Sequence, residues 1–98
     1  MKPKVGRVIY TIYDPTTIFA SFISQDTVSF VGKDSFFVGT STDYESLREY
    51  KYNDYGETWF TTFTTAKQYV KNYHADHGIK IKIIPTELKG YWEVEYRE

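Results

Sequence analysis

His74 and His77 stand three residues apart with Asp76 between them, a spacing at which two imidazoles on one helical face can share a metal ion. No third ligand follows at a spacing that would close such a site. The same positions fall in the last turn of an expected helix, where positive charge suits the helix dipole. Both histidines are therefore read as exposed helix-end residues. Nucleophilic chemistry finds no better footing, since neither Gly-x-Ser-x-Gly nor Ser-x-x-Lys occurs. Glu93 and Glu95 share one strand face and read as a solvated pair, not an acid–base couple. The six glycines are scattered singly, so no phosphate loop is present. Cysteine is absent, which excludes thiolate catalysis and any zinc site built on sulfur. The expectation is a non-enzymatic chain with no catalytic residue, no metal and no cofactor.

Two binding chemistries are left. The first is a tyrosine-rich acidic segment holding Asp43, Tyr44, Glu45, Glu49, Tyr50, Tyr52, Asp54, Tyr55 and Glu57 against only Arg48 and Lys51. Tyrosine offers a large contact area with a polar tip and little entropy to lose, which suits a protein interface. Ringed by carboxylates, such a surface fits a basic partner. Tyr50 and Tyr52 also have the spacing of a buried strand face, while Tyr44 and Tyr55 adjoin polar loop residues and are the better exposed candidates. The second chemistry belongs to Lys67, Lys71, Lys80 and Lys82. Together they would form one phosphate-binding patch for nucleic acid or a nucleotide if the strand after the helix packs beside it. Exposed tyrosines or Phe37 would add stacking surfaces. Solvation of a helix face and an edge strand explains the same lysines without a ligand.

These residues need elements to carry them. Val5 to Tyr13 alternates with period two, placing Val8, Tyr10 and Ile12 on one face and Arg7, Ile9 and Thr11 on the other. Asp14-Pro15 then turns the chain. Ile18 to Ser24 reads as a strand, and Thr27 to Val31 either continues it or pairs back after the polar Ser24-Gln25-Asp26. Gly32-Lys33-Asp34 is a turn before Ser35 to Thr40, where Phe36 and Val38 oppose Phe37. Ser41 to Ser46 is loop, Glu49 to Tyr52 a strand, and Asn53 to Gly56 a turn with Gly56 free to take positive φ. Thr58 to Thr61 is a short strand.

The strongest local signal is a helix from Thr62 to about His77. Thr62 caps it, Phe63, Ala66, Tyr69, Val70 and Tyr73 line one side, and Gly78 ends it. Ile79, Ile81 and Ile83 alternate with Lys80 and Lys82, Pro85 stops that strand, and Tyr91 to Arg97 returns as the second arm of a hairpin.

The chain has 98 residues, 41% hydrophobic and 19% aromatic, with net charge −1. That supports one core and a single domain over 1–98, and favours neither a general nucleic-acid binder nor a DNA mimic. The missing disulfides, the lack of an apolar leader after Met1-Lys2 and the lack of a long apolar run give an expectation of a cytoplasmic protein without membrane contact. The expected class is α+β: a small curled antiparallel sheet or SH3-like barrel, one amphipathic helix and a C-terminal hairpin. Its open strand edges would allow self-association.

The run Tyr55-Gly56-Glu57-Thr58-Trp59-Phe60-Thr61-Thr62-Phe63-Thr64-Thr65-Ala66-Lys67 resembles an element of small phage and prophage proteins of Gram-positive bacteria. There an SH3-like, β-rich region ends in a Tyr/Phe-Gly-x-Thr-x-Phe strand before a threonine-capped helix. Gly56, Thr58, Phe60, Thr62 and Ala66 match, while Thr64 and Thr65 stand where acidic residues are usual. The resemblance implies a viral or mobile-element origin and action by binding a host protein, including inhibition of a defence system. It implies no catalytic residue.

Overall fold

The computed structural model describes residues 2–13, 22–39 and 47–97. The expected turn at Asp14-Pro15, the start of the second strand before Phe22, and the loop at Ser41 to Ser46 lie outside them. The elements are β1 (Val8–Tyr13), β2 (Phe22–Val31), β3 (Ser35–Val38), β4 (Arg48–Lys51), a 3-10 turn (Tyr52–Asp54), β5 (Trp59–Phe60), α1 (Phe63–Asp76), β6 (Lys80–Pro85) and β7 (Tyr91–Arg97). The fold is α+β: among the described residues, a curled antiparallel sheet of seven strands with one α-helix and a C-terminal hairpin.

The sheet is organised by the long strand β2. Its Thr27 to Ile23 stretch pairs with Val8 to Ile12 of β1 on one edge. The other edge is shared in sequence: Ile23 and Ser24 pair with Trp92 and Tyr91 of β7, and Val28 to Val31 pair with β3. Ser24-Gln25-Asp26 is thus the middle of one strand, so Thr27 to Val31 continues the strand and does not fold back. The turn at Gly32-Lys33-Asp34 is closed by the Gly32 N–H donating to the Ser35 carbonyl at 2.7 Å.

Two cores lie on opposite faces of this sheet. The inner face holds Ile9, Val28, Phe36, Val38, Tyr52 and Trp59, with Tyr50 packed against them. The helix face holds Ile12, Ile23, Phe60, Ala66, Val70 and Ile83, with Tyr10, Phe63, Trp92 and Val94 closing over them. Alternation along β1 therefore sends side chains into both cores. The two residues of β5 do the same, Trp59 inward and Phe60 toward the helix.

The helix has the expected ends. The Thr62 hydroxyl accepts from the Thr65 N–H at 3.3 Å. At the other end the Ile79 N–H reaches the His74 carbonyl and the Gly78 N–H reaches the Ala75 carbonyl, both at 2.9 Å, with Gly78 at φ 74°. That is the paired 6→1 and 5→2 closure of a Schellman motif. Gly56 takes φ 88° in its turn, as its sequence context requires. Thr62→Ala should lower stability by about 1 kcal/mol, read as a Tm shift of roughly 4–8 °C in a domain of this size. A Thr62→Ser variant should retain most of it. No helix among the described residues is long and apolar enough to cross a membrane.

Candidate functional site

On the inner face, three strands meet at a cluster of polar side chains. Asp26 of β2 forms an ion pair with Arg48 of β4 at 2.8 Å, the two side chains being 14% and 29% exposed. The fully buried Thr11 of β1 donates its hydroxyl to the same Asp26 carboxylate at 2.6 Å, and the fully buried Ser24 donates to its other oxygen at 3.2 Å. Arg48 also donates to the Tyr50 hydroxyl at 3.1 Å. Burial raises the Tyr50 pKa above its usual value near 10, against the opposing pull of Thr11 and Arg48. At neutral pH the phenol therefore keeps its proton. Every acceptor of Asp26 is directed at a neighbour within the fold, so the cluster acts as a brace between β1, β2 and β4, not as a free acid.

The outer face of the same strands carries a different surface. Between the pairs Val28↔Val38 and Phe30↔Phe37, β2 spends two residues against one of β3, a β-bulge. The Ser29 hydroxyl donates to the Gly39 carbonyl across it. The extra residue reverses the alternation: Val28 points into the core, while Phe30 lands on the outer face at 66% exposure. There it stacks with Phe37, ring centroids 6.2 Å apart and planes 20° from parallel. Phe30, Phe37, Leu47 and Glu49 line a groove of about 410 Å³. Glu49 accepts from the Ser35 hydroxyl at 2.6 Å, which fixes the carboxylate beside the rings.

The tyrosine-rich acidic segment does not form one surface. Asp43, Tyr44 and Glu45 lie outside the described residues. Glu49 faces outward with Phe37, its cross-strand partner. Tyr50 is half-buried against the inner core, and Tyr52, 9% exposed, belongs to that core and donates its hydroxyl to the Gly32 carbonyl at 2.8 Å. Both rings pack on Phe36, Tyr50 from β4 and Tyr52 from the 3-10 turn that follows it, so neither belongs to an exposed strand face. Asp54 is half-exposed, and its carbonyl accepts from the Glu57 and Thr58 N–H groups to close the turn. Tyr55 is 40% exposed and rests edge-on against Trp59.

Nor do the four lysines form one patch. Ile83 enters the helix-side core and Ile81 packs on it, so strand alternation puts Lys80 and Lys82 on the opposite face of the hairpin. Lys82 stands across the ladder from Glu95, while Lys67 and Lys71 remain on the helix. The hairpin does pack beside the helix, but the face it uses separates the charges.

The histidines also part company. His74 is fully buried, contrary to its expected place in an exposed last turn, and its Nδ1–H donates to the Val70 carbonyl at 2.8 Å. His77 is exposed and makes the equivalent bond to the Tyr73 carbonyl. His74 follows Ala66 and Val70 at helical spacing, and all three are buried. Among the described residues no three His, Asp or Glu side chains converge as metal ligands.

Asp26, Arg48, Phe30 and Leu47 were not singled out by sequence reasoning. Asp26 and Arg48 sit in polar stretches with no local sign of pairing, and a strict period of two assigns Phe30 to the core. No family model, curated protein or solved structure matches the chain.

Proposed function

We propose that the chain is a non-enzymatic binding protein that acts by protein–protein contact through the outer aromatic face of β2, β3 and β4. The observation that carries this reading is Phe30, a large ring two-thirds exposed at the edge of a groove. A ring held on the surface by a bulge stabilises the fold little, and aromatic groups beside a concavity are the usual anchors of an interface. Glu49 in the groove wall sets the partner chemistry: an apolar side chain next to a lysine or arginine. The resemblance to small phage proteins makes inhibition of a host or defence protein the expected result of that contact.

The test is capture from a bacterial lysate, with and without nuclease treatment, by wild type, Phe30→Ser and Glu49→Lys. A partner retained by wild type should be lost by at least roughly tenfold in either variant, equivalent to about 1.4 kcal/mol. Phe30→Ser should leave folding stability within about 0.5 kcal/mol, as befits an exposed position. Retention by Phe30→Ser, or loss on nuclease treatment alone, would overturn the reading.

A further inference from the structure

Lys2, Lys4 and Arg7 lie ahead of β1, and with Pro3 and Thr61 they line a hollow of about 330 Å³. The segment is held in place. Pro3 is buried, the Arg7 N–H donates to the Lys4 carbonyl at 3.0 Å, and Gly6 and Arg7 exchange backbone hydrogen bonds with Val28 of β2 at 2.8 and 2.9 Å. The Lys2 ammonium lies 5.3 Å from the centroid of the Tyr52 ring, a cation–π distance. Thr61 forms the opposite wall, immediately before the cap of α1, and its hydroxyl shares a 3.2 Å hydrogen bond with the Tyr55 hydroxyl. The hydroxyl end of the exposed Tyr55 side chain thus lies next to one wall of the hollow.

The charge here is unbalanced. Among the described residues the one ion pair is Arg48 with Asp26, so Lys2, Lys4 and Arg7 have no carboxylate partner there. The first turn of α1 carries no acidic residue either. Three cations, a hydroxyl and a helix start around one concavity make a field suited to a compact anion of high charge. Arginine's planar fork matches phosphate oxygens, and an aromatic ring beside a phosphate site accepts a base face.

We propose that this hollow binds a nucleoside phosphate, with Lys2, Lys4, Arg7 and Thr61 on the phosphate and Tyr55 against the base. Its volume lies at the small end of ligand pockets, which run from about 300 Å³, and suits a single nucleotide unit. A free nucleotide and one unit of a single strand share this chemistry. The site uses none of the residues of the outer aromatic face, so it stands or falls independently of that reading.

The full chain is titrated with inorganic phosphate, adenosine monophosphate and a short oligodeoxyadenylate, following backbone amide shifts by NMR. The nucleotide should bind more tightly than phosphate alone. Lys4→Gln/Arg7→Gln should weaken both by about tenfold or more, at the scale of two lost charge-assisted contacts. Tyr55→Leu should weaken the nucleotide but not phosphate, and Lys80→Gln/Lys82→Gln should change neither. Thermal melts of each variant separate lost binding from lost folding. If the oligonucleotide binds more tightly than the monomer, with a log–log salt slope of roughly −0.7 for each strand phosphate neutralised, a single strand is the source. Equal affinity with a shallower slope identifies the free nucleotide. The proposal is overturned by a lack of saturable binding, by binding that survives Lys4→Gln/Arg7→Gln, or by equal affinities for phosphate and nucleotide.

Discussion

Asp26→Ala is expected to destabilise the fold by about 3 kcal/mol, lowering Tm by roughly 12–24 °C for a domain of this length. The carboxylate does three things at once: it faces Arg48, and it accepts from Thr11 and Ser24, neither of which reaches solvent. Removing it leaves two buried hydroxyls without an acceptor and a largely buried guanidinium without a counter-charge. Each orphaned group costs more than the bond it lost was worth. The double variant Asp26→Ala/Arg48→Met should recover at least about 1 kcal/mol, because an apolar side chain in that position no longer demands a partner. Urea titration of wild type, both single variants and the double variant closes the cycle. A loss below about 1 kcal/mol for Asp26→Ala would mean that the pair behaves as an exposed one and that the brace is not structural.

Trp59→Ala is expected to cost about 4 kcal/mol, close to the whole stability of a marginal domain. Trp59 is fully buried at the centre of the inner core, with Phe36 edge-on at 5.0 Å and Tyr55 at 4.7 Å. Its indole N–H donates to the Lys51 carbonyl at 2.9 Å, tying the end of β4 to β5. Trp59→Phe keeps most of the apolar volume and loses that bond, so it should cost about 2 kcal/mol. The denaturation midpoint should fall in the order wild type, Trp59→Phe, Trp59→Ala, with the m-value unchanged between wild type and Trp59→Phe. Equal losses for the two variants would place the energy in the hydrogen bond and not in the packing. Because Trp59→Ala opens the inner core, its capture of any partner is not informative; Phe30→Ser is the variant that separates contact from folding.

The two cores explain why these effects are large in a short chain. A two-residue strand, β5, supplies a buried ring to each face of the sheet, so adjacent residues serve the two layers. The helix is anchored to only one of them through Ala66, Val70 and Ile83. Loss of the Thr62 cap is therefore expected to be mild, whereas loss of Trp59 is not.

Local order is legible in the residues themselves. Thr62 at the start, apolar residues at helical spacing and Gly78 at the end define a helix from within a window of seventeen residues, and α1 occupies Phe63–Asp76. The alternation of Ile79 to Ile83 and of Tyr91 to Val94 around Lys89-Gly90 likewise defines the hairpin. Phe36 and Val38 opposing Phe37 needs only the pleat. In each case neighbours in sequence are also the neighbours that decide the conformation.

The binding surfaces are not legible in this way. Phe30 belongs to the core on a strict alternation and reaches the surface because one extra residue of β2 is set against β3, a fact of pairing between distant residues. Ser24-Gln25-Asp26 leaves open whether Thr27 to Val31 continues the strand or pairs back, and the strand runs on through it, with Asp26 meeting Thr11 and Arg48 across the sheet. Tyr50 and Tyr52 fit an interface and a core equally well by spacing, and it is their packing on Phe36 that assigns them to the core. Lys80 and Lys82 are kept from the helix-side patch because the isoleucine face of β6 packs on α1. The sequence by itself determined the class of elements, their order and the absence of cysteine chemistry, because periodicity, caps and composition act over a few residues. Only the tertiary structure decided which charged and aromatic side chains share a face, because that depends on strand register, and one inserted residue sends the next side chain to the other side of the sheet.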